Sequence, residues 1–216
     1  MDILILIFGI IGFAFAIIIH EVSHGLVAER LGDPTARLMG RLTLNPVPHI
    51  DIIGSLLLPI TLLFLRSPFI FGWAKPVPVD PYNLKHPKKD MAFISLAGPV
   101  SNLLLAATLS IFLRILVLIF PSTNLFSLFY YLIQFNVVLA IFNLIPVGPL
   151  DGGKVLTGLL PDKQAKLFSR FIERYGVVLL LVLIFPIFGG NSLLNIIISP
   201  PVHFFLKLFI PGFSLI

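Results

Sequence analysis

The stretch "IIIHEVSHGLVA" (residues 17–28) determines how the rest of the chain is interpreted. It places two histidines and a glutamate inside an apolar segment that covers residues 3–28. A carboxylate in the middle of a membrane-spanning helix costs at least about 2.5–3.5 kcal/mol on insertion scales, so such a residue indicates a functional site by default. The cluster of His20, Glu21 and His24 therefore predicts a site built into an apolar helix.

The composition indicates an integral membrane protein. Of the 216 residues, 57% are hydrophobic and 12% are charged, and the mean hydropathy is +1.04. Soluble domains average about 45–50% apolar and about 25% charged residues. The sequence contains no cysteine, which excludes disulfides and thiolate metal ligands. No basic surface interleaved with aromatic residues is available, so we expect no nucleic-acid partner.

Hydropathy predicts an all-α fold, a polytopic helix bundle with about four to six transmembrane segments of about 20 residues each. The stretch 52–73 is apolar, but Pro59, Arg66 and Pro68 interrupt it, which predicts a re-entrant hairpin or two short crossings. The alternating "GRLTLNP" indicates a short strand. The segments long enough to span are 3–28, 91–119, 125–146 and 176–198.

The basic residues predict the orientation in the membrane, because Lys and Arg favour the cytoplasmic side. Of the 15 basic residues, all but Arg114 and Lys207 lie in or beside three polar regions. If these regions are cytoplasmic, the first helix runs from outside to inside and ends in the cytoplasm. The histidine cluster then lies toward the cytoplasmic side of a multi-pass protein. We expect Arg114 to bond a carbonyl or to extend toward the outer interface, without a catalytic role.

Residues 20–24 form an H-E-x-x-H motif. Residues four apart share one face of a helix, so His20 and His24 can bind a single zinc ion. Glu21 is adjacent to His20 and can act as a general base toward water that the metal activates. The motif therefore predicts one zinc ion per chain as the cofactor.

A catalytic zinc site needs a third protein ligand, and Asp51 and Asp151 are the acids in reach. Asp151 lies in "NLIPVGPLDGGKVL" (143–156), directly after segment 125–146, and we expect it at the same depth as the two histidines. It could equally cap a helix. For His49 and Asp51 the sequence leaves three roles open: gating the site, transient metal binding, or a structural pair.

Three motifs together resemble those of the site-2 protease family of intramembrane zinc metalloproteases. They are H-E-x-x-H in the first helix, "SLAGPVSNLLLA" (95–106), and N-x-x-P-x-x-P-x-D-G from Asn143. The resemblance covers about residues 15–160 and is to a compact subgroup without PDZ or CBS domains. It implies a single membrane-embedded metalloprotease domain over 1–216, with a C-terminal helix and an amphipathic tail over 176–216. It also implies a short membrane-associated β-hairpin near 36–46.

The resemblance also implies roles for individual residues. Its zinc ligands would be His20, His24 and Asp151, and Glu21 would be the catalytic base and later the proton donor. Asn143 would lie near the scissile carbonyl, where an amide donor stabilises an oxyanion. In the 95–106 motif, Asn102 would be mainly a helix-packing contact, and Gly98 would allow close approach.

The implied activity is hydrolysis of peptide bonds in or near the transmembrane segments of membrane proteins. The expected partners are such a segment and the lipid bilayer, and the expected location is a prokaryotic cell membrane. The oligomeric state stays open. Two other functions also remain open. A membrane zinc transporter would be expected to carry metal ligands at several depths, and an inactive scaffold would be expected to have lost Glu21 or a ligand.

Overall fold

The structure is a computed structural model that describes residues 3–65, 72–120, 123–185 and 192–210. These residues form eight α-helices and no strand, which confirms the all-α prediction for this part of the chain. A π-helical turn, Ile52–Leu57, leads directly into α3. The helices are α1 (Ile3–Arg30), α2 (Thr35–Leu38), α3 (Leu58–Phe64), α4 (Pro87–Ile119), α5 (Thr123–Asn143), α6 (Asp151–Leu159), α7 (Asp162–Ile184) and α8 (Leu193–Phe209).

Within the described ranges, α1, α4 and α5 are the helices long and apolar enough to cross a membrane. At 1.5 Å per residue they extend about 42, 50 and 31 Å, against a hydrocarbon core about 30 Å thick. Their outer faces expose large apolar side chains, including those of Phe8, Ile10 and Leu104. Such a surface suits contact with lipid chains. The predicted number of four to six crossings stays a prediction.

Helix α4 lies at the centre of the bundle and packs against α1, α5 and α6. Away from the histidines, Leu113 of α4 shares a buried core with Ile133 and Val137 of α5 and with Leu206 of α8. Apolar packing of three helices thus holds α4 in place, and α4 in turn supports the first helix.

Arg114 has the carbonyl partner that was expected for it. Its Nη2 donates to the Leu208 carbonyl at 3.1 Å, in the last turn of α8. The final carbonyls of a helix have no partner within the helix, and a cation there also complements the helix dipole. Arg114 therefore stabilises the end of α8.

The prediction of a β-hairpin near 36–46 is wrong. Residues 35–38 are helical, and the chain then continues through turns and bends to residue 46. Tertiary contacts explain the difference, because the Arg41 side chain, rather than a strand backbone, bonds the neighbouring segment. Arg41 donates to the carbonyls of Lys75 and Pro76 at 2.7 and 3.2 Å.

The two ends of the stretch 52–73 lie close together. Its helical part, residues 52–64, is about 20 Å long, too short to cross the hydrocarbon core. The Trp73 amide donates to the Gly54 carbonyl at 3.2 Å, and the Ser55 hydroxyl donates to the Trp73 carbonyl at 2.9 Å. These bonds support the re-entrant hairpin, whereas Arg66 and Pro68 lie outside the described residues.

The fourth predicted crossing, 176–198, is not one continuous helix. Helix α7 ends at Ile184 and α8 begins at Leu193. Phe185 is extended, with φ −70° and ψ 136°, because the next residue is Pro186 and a residue before proline disfavours the helical conformation. The stretch 176–198 is strongly apolar on average, which is why composition alone predicted a single span.

Candidate metal centre

The H-E-x-x-H motif lies in the last third of α1, and Asp151 is the first residue of α6. The Nε2 atoms of His20 and His24 lie 3.0 and 3.2 Å from Oδ2 of Asp151. The three side chains are buried, and their potential ligand atoms all lie within 4.8 Å of one another. Among the described residues, this is the one cluster of three His or acidic side chains with such geometry.

Asn102 determines which nitrogen of His20 carries a hydrogen. The Asn102 amide nitrogen donates to the Ala16 carbonyl at 3.0 Å and to Asn136 Oδ1 at 2.9 Å. Its oxygen therefore faces His20 Nδ1, at 2.6 Å, and can only accept from it. With Nδ1 protonated, Nε2 of the neutral imidazole keeps a lone pair for a metal.

His24 is oriented in the same way by backbone. Its Nδ1 lies 2.6 Å from the Ile94 carbonyl oxygen, which can only accept, so Nδ1 carries the hydrogen. Both Nε2 lone pairs therefore point toward one carboxylate oxygen. Three acceptors so close repel one another unless a cation lies between them. Two imidazoles and a carboxylate are the protein ligands of one class of catalytic zinc sites, so the residues present fit a zinc ion.

Two glycines allow this close approach. A Cβ on Gly98 would lie 2.6 Å from atoms of both imidazoles, and a Cβ on Gly152 would lie 2.2 Å from the Leu144 carbonyl oxygen. Gly98 thus brings α4 against the histidines, and Gly152 brings the start of α6 against the end of α5. The expectation that Gly98 permits close approach is met.

The carboxylate of Asp151 faces the histidines. The cap position of α6 is taken by Leu150, whose side chain makes no capping bond, and Oδ2 of Asp151 instead lies 3.0 Å from His20 Nε2. The alternative in which Asp151 serves as a helix cap is therefore not supported.

Glu21 has a partner that sequence reasoning did not find. Its Oε2 accepts a hydrogen bond from the Val77 backbone amide at 2.8 Å. Val77 is buried and lies in the segment 72–80, which forms neither helix nor strand. A backbone donor has no side-chain signature, so the sequence shows only the run of prolines around Val77.

Asn143 is the last residue of α5 and is half-buried. Its amide nitrogen donates to the Leu139 carbonyl at 3.0 Å, one turn back in its own helix. Its contribution to an oxyanion site stays a prediction.

His49 and Asp51 do not form the structural pair considered from the sequence. Asp51 Oδ1 accepts from the Gly54 amide at 2.7 Å and caps the π-helical turn. His49 Nε2 lies 2.9 Å from the Thr43 carbonyl oxygen, and the ring is buried. Neither residue belongs to the metal-binding cluster, and both instead order the chain around the hairpin.

Comparison with known proteins identifies the family. The model of peptidase family M50 matches residues 118–186, which include Asn143 and Asp151. A candidate zinc metalloprotease of Bacillus subtilis (strain 168), YwhC, is 40% identical over 172 residues, which cover 76% of this chain and 74% of that protein. The chain belongs to peptidase family M50, the site-2 protease family.

Two further relatives of this M50 chain are more distant. Rip2 of Mycolicibacterium smegmatis, also named as a candidate zinc metalloprotease, is 30% identical over 187 residues, covering 81% of this chain and 65% of Rip2. Zinc metalloprotease MJ0392 of Methanocaldococcus jannaschii is 27% identical over 191 residues, covering 88% of this chain and 45% of that protein. No solved structure matches the chain.

The family and the structure together confirm the predicted enzyme class, the zinc cofactor and the location in a membrane. The relatives are named as zinc metalloproteases, which assigns the chain to the hydrolases and confirms zinc as the expected cofactor. Membership of M50 together with three long apolar helices makes it a multi-pass membrane protein.

Proposed function

We propose that this M50 chain is an intramembrane metalloendopeptidase that hydrolyses peptide bonds in or near transmembrane segments of membrane proteins. The position of the cluster along α1 carries the proposal. His20 lies ten residues before Arg30, the end of α1, which is about 15 Å along a helix. This is half of a hydrocarbon core about 30 Å thick. With Arg30 at the interface, the cluster lies inside the membrane.

In this proposal His20, His24 and Asp151 hold the zinc ion. When bound, zinc supplies Lewis-acid chemistry, polarising a carbonyl and making water more acidic. Glu21 removes a proton from the attacking water and later delivers it to the leaving amine. Asn143 donates to the developing oxyanion, for which its amide must turn away from the Leu139 carbonyl.

The substrate must become extended before it is cut, because the carbonyls of a helix are engaged in the helical hydrogen bonds. We also propose that residues 1–216 form one membrane-embedded metalloprotease domain in a prokaryotic cell membrane. The site opens toward the cytoplasm, since basic residues gather at one end of the bundle. An ion pair at that end supports a common side: Lys88, at the start of α4, bonds Asp162, at the start of α7.

Replacing Glu21 with Gln tests the function. A membrane-protein substrate with a single transmembrane segment should be cleaved by the wild-type protein and not by the variant, while zinc stays bound. Glu29→Gln is the matched control, because Glu29 lies on the same helix but pairs with Arg37 outside the cluster. Cleavage that persists in zinc-containing Glu21→Gln protein would show that another group is the base.

Replacing Asp151 with Asn tests the metal site. The variant should retain less zinc after dialysis, because one anionic ligand is lost, whereas Asp162→Asn should retain the wild-type amount. Equal zinc content in both variants would exclude Asp151 as a ligand. Zinc flux into proteoliposomes without any cleavage would indicate the transporter instead, and zinc binding without flux or cleavage would indicate the inactive scaffold.

A further inference from the structure

The segment of residues 72–80, here called the strap, forms neither helix nor strand and bonds both to residues 49–55 and to α1. Bonds along its length fix its backbone. The Lys75 amide donates to the His49 carbonyl at 2.9 Å, and the Asp80 amide donates to Asp33 Oδ2 at 2.7 Å. Between these two points, the Val77 amide donates to Glu21 Oε2. The strap is thus held at both ends and meets the proposed base in its middle.

One peptide unit of the strap is held from both of its sides. The Pro76 carbonyl and the Val77 amide belong to the same planar unit, and in a trans peptide they point in opposite directions. Arg41 donates to that carbonyl at 3.2 Å, and Glu21 accepts from that amide at 2.8 Å. Arg41 also donates to the Lys75 carbonyl at 2.7 Å. Rotation of the peptide unit would therefore break bonds on both sides.

Arg41 is an unusual residue to find in this position. It is buried, with 5% of its surface exposed, and in the described contacts its Nη2 donates to backbone carbonyls rather than to an acid. A buried charge is costly unless its surroundings compensate for it, so its retention needs a reason. Holding the two carbonyls that precede Val77 supplies one.

Asp33 anchors the C-terminal end of the strap. Asp33 is fully buried, and its carboxylate accepts bonds from the amide of Asp80, the side chain of Asn83 at 2.8 Å and the amide of Thr35 at 3.1 Å. Asp80 is the last residue of the strap, Asn83 follows it, and Thr35 lies after α1, so the carboxylate joins the strap to the turn after α1.

We propose that the Pro76–Val77 peptide unit, held by Arg41, orients the Glu21 carboxylate relative to the His20–His24–Asp151 cluster. Arg41 and Val77 are then positioning residues for the reaction. The inference rests on the proposed function, in which Glu21 is the base. The bond to Oε2 ties one carboxylate oxygen to the strap, and in this proposal Oε1 accepts the proton of the attacking water. The opposite interpretation is that the contact holds Glu21 away from the reaction and so inhibits it. The experiment below distinguishes the two interpretations.

Val77→Pro removes the one hydrogen that Glu21 accepts from the strap and nearly preserves side-chain volume. We expect kcat to fall about 10- to 100-fold, because a catalytic group misplaced by about 1 Å can cost that much. KM and zinc content should stay at wild-type values. Val77→Ala keeps the amide and should recover most of kcat. Val79→Pro, the same substitution two residues along the strap, should leave kcat unchanged.

Unchanged kcat in Val77→Pro would overturn the inference, and increased kcat would show that the contact inhibits the reaction. A fall in zinc content together with kcat would also overturn it, since the contact would then support the metal site rather than the base. Failure of the proposed function is distinguishable: Glu21→Gln would then retain cleavage. If Glu21→Gln is inactive and Val77→Pro is normal, only the positioning role fails.

Hydrogen exchange of zinc-free protein tests the contact without catalysis. Pro76 and Pro78 have no amide hydrogen, so in residues 75–79 only Lys75, Val77 and Val79 can exchange. Glu21→Ala removes the acceptor and should speed exchange at Val77, whereas Glu21→Gln keeps a carbonyl oxygen and should preserve the protection. Equal exchange at Val77 in wild type and Glu21→Ala would overturn the inference.

Discussion

At the scale of single residues, the metal centre depends on which imidazole nitrogens carry hydrogens. Both Nδ1 atoms face oxygens that can only accept, so both Nε2 atoms present lone pairs to the same space. The selection is indirect at His20, because Asn136 and the Ala16 carbonyl first fix the Asn102 amide. The amide chain therefore prepares His20 for a metal before any metal binds.

Asn102→Leu should weaken zinc binding by about 10- to 100-fold, the usual cost of losing a partner of a metal-binding histidine. Without Asn102, His20 is free to take the other tautomer, which directs a hydrogen at the metal position. Asn136→Leu is the control, because it removes a bond to Asn102 but leaves His20 with its acceptor. Competition with a zinc chelator measures both, and equal affinities in the two variants would contradict the prediction.

The sequence could predict the members of the cluster but not the residues that support them. His20, Glu21 and His24 form a local pattern with one geometric meaning on a helix, whereas Asp151 was assigned through the family resemblance, because its residues alone left a helix cap equally open. Asn102 was interpreted as a packing contact because a lone amide in an apolar helix suits either role. Only the three-dimensional arrangement, in which residues 82 apart in sequence meet, shows that it bonds His20.

At the scale of helices, the site requires α4 to lie against the imidazoles on α1. Gly98→Ala should therefore abolish zinc retention, because the new Cβ would lie 2.6 Å from both rings and displace them. Gly9→Ala on α1 is the control, since its Cβ would have its nearest neighbour at 4.0 Å. Zinc content after purification measures the effect. Wild-type zinc content in Gly98→Ala would show that the helices can separate without loss of the site.

The strap's anchor at Asp33 should make its order sensitive to acid. Burial raises the pKa of the Asp33 carboxyl, but bonds from Thr35, Asn83 and the Asp80 amide lower it below its ordinary value. A lowered pKa means that the anchor is at full strength above about pH 3.9, the ordinary value, and is lost as pH falls through the folded-state pKa.

Trp73, the single tryptophan of the chain, lies on the strap and reports this transition. Its emission should be constant near neutral pH and should shift in acid. In Asp33→Asn the carboxylate is absent at every pH, so emission should already differ at neutral pH and the acid shift should shrink. An acid shift of wild-type size in Asp33→Asn would assign the transition to another group.

Sequence patterns were least reliable where tertiary contacts decide the conformation. The "GRLTLNP" alternation suits a strand, yet the buried Arg41 guanidinium bonds the strap carbonyls and no strand forms. The break before Pro186 was visible in the sequence, but the hydropathy of 176–198 outweighed it. The long helices α1, α4 and α5 were predictable because their length and apolar composition leave few alternatives.

At the scale of the whole molecule, the orientation of the site depends on which helix ends lie on the same side of the membrane. Three basic regions adjoin the end of α1, the start of α4 and the start of α7. The Lys88–Asp162 bond joins two of them directly, at 2.7 Å. The other end of α4 leads into α5 near residue 120, where basic residues are lacking. The distribution of basic residues and the order of the helices along the chain therefore predict the same orientation in the membrane.

Single cysteines in this cysteine-free chain can test that assignment with a membrane-impermeant maleimide. Thr123→Cys, at the start of α5, should be labelled in intact cells. Leu38→Cys, Lys89→Cys and Lys163→Cys should react only after permeabilisation, because the proposed orientation places the basic regions in the cytoplasm. Each residue is exposed, so labelling in detergent controls for accessibility. If Lys163→Cys reacted in intact cells while Lys89→Cys did not, α4 and α7 would begin on opposite sides, which their ion pair forbids.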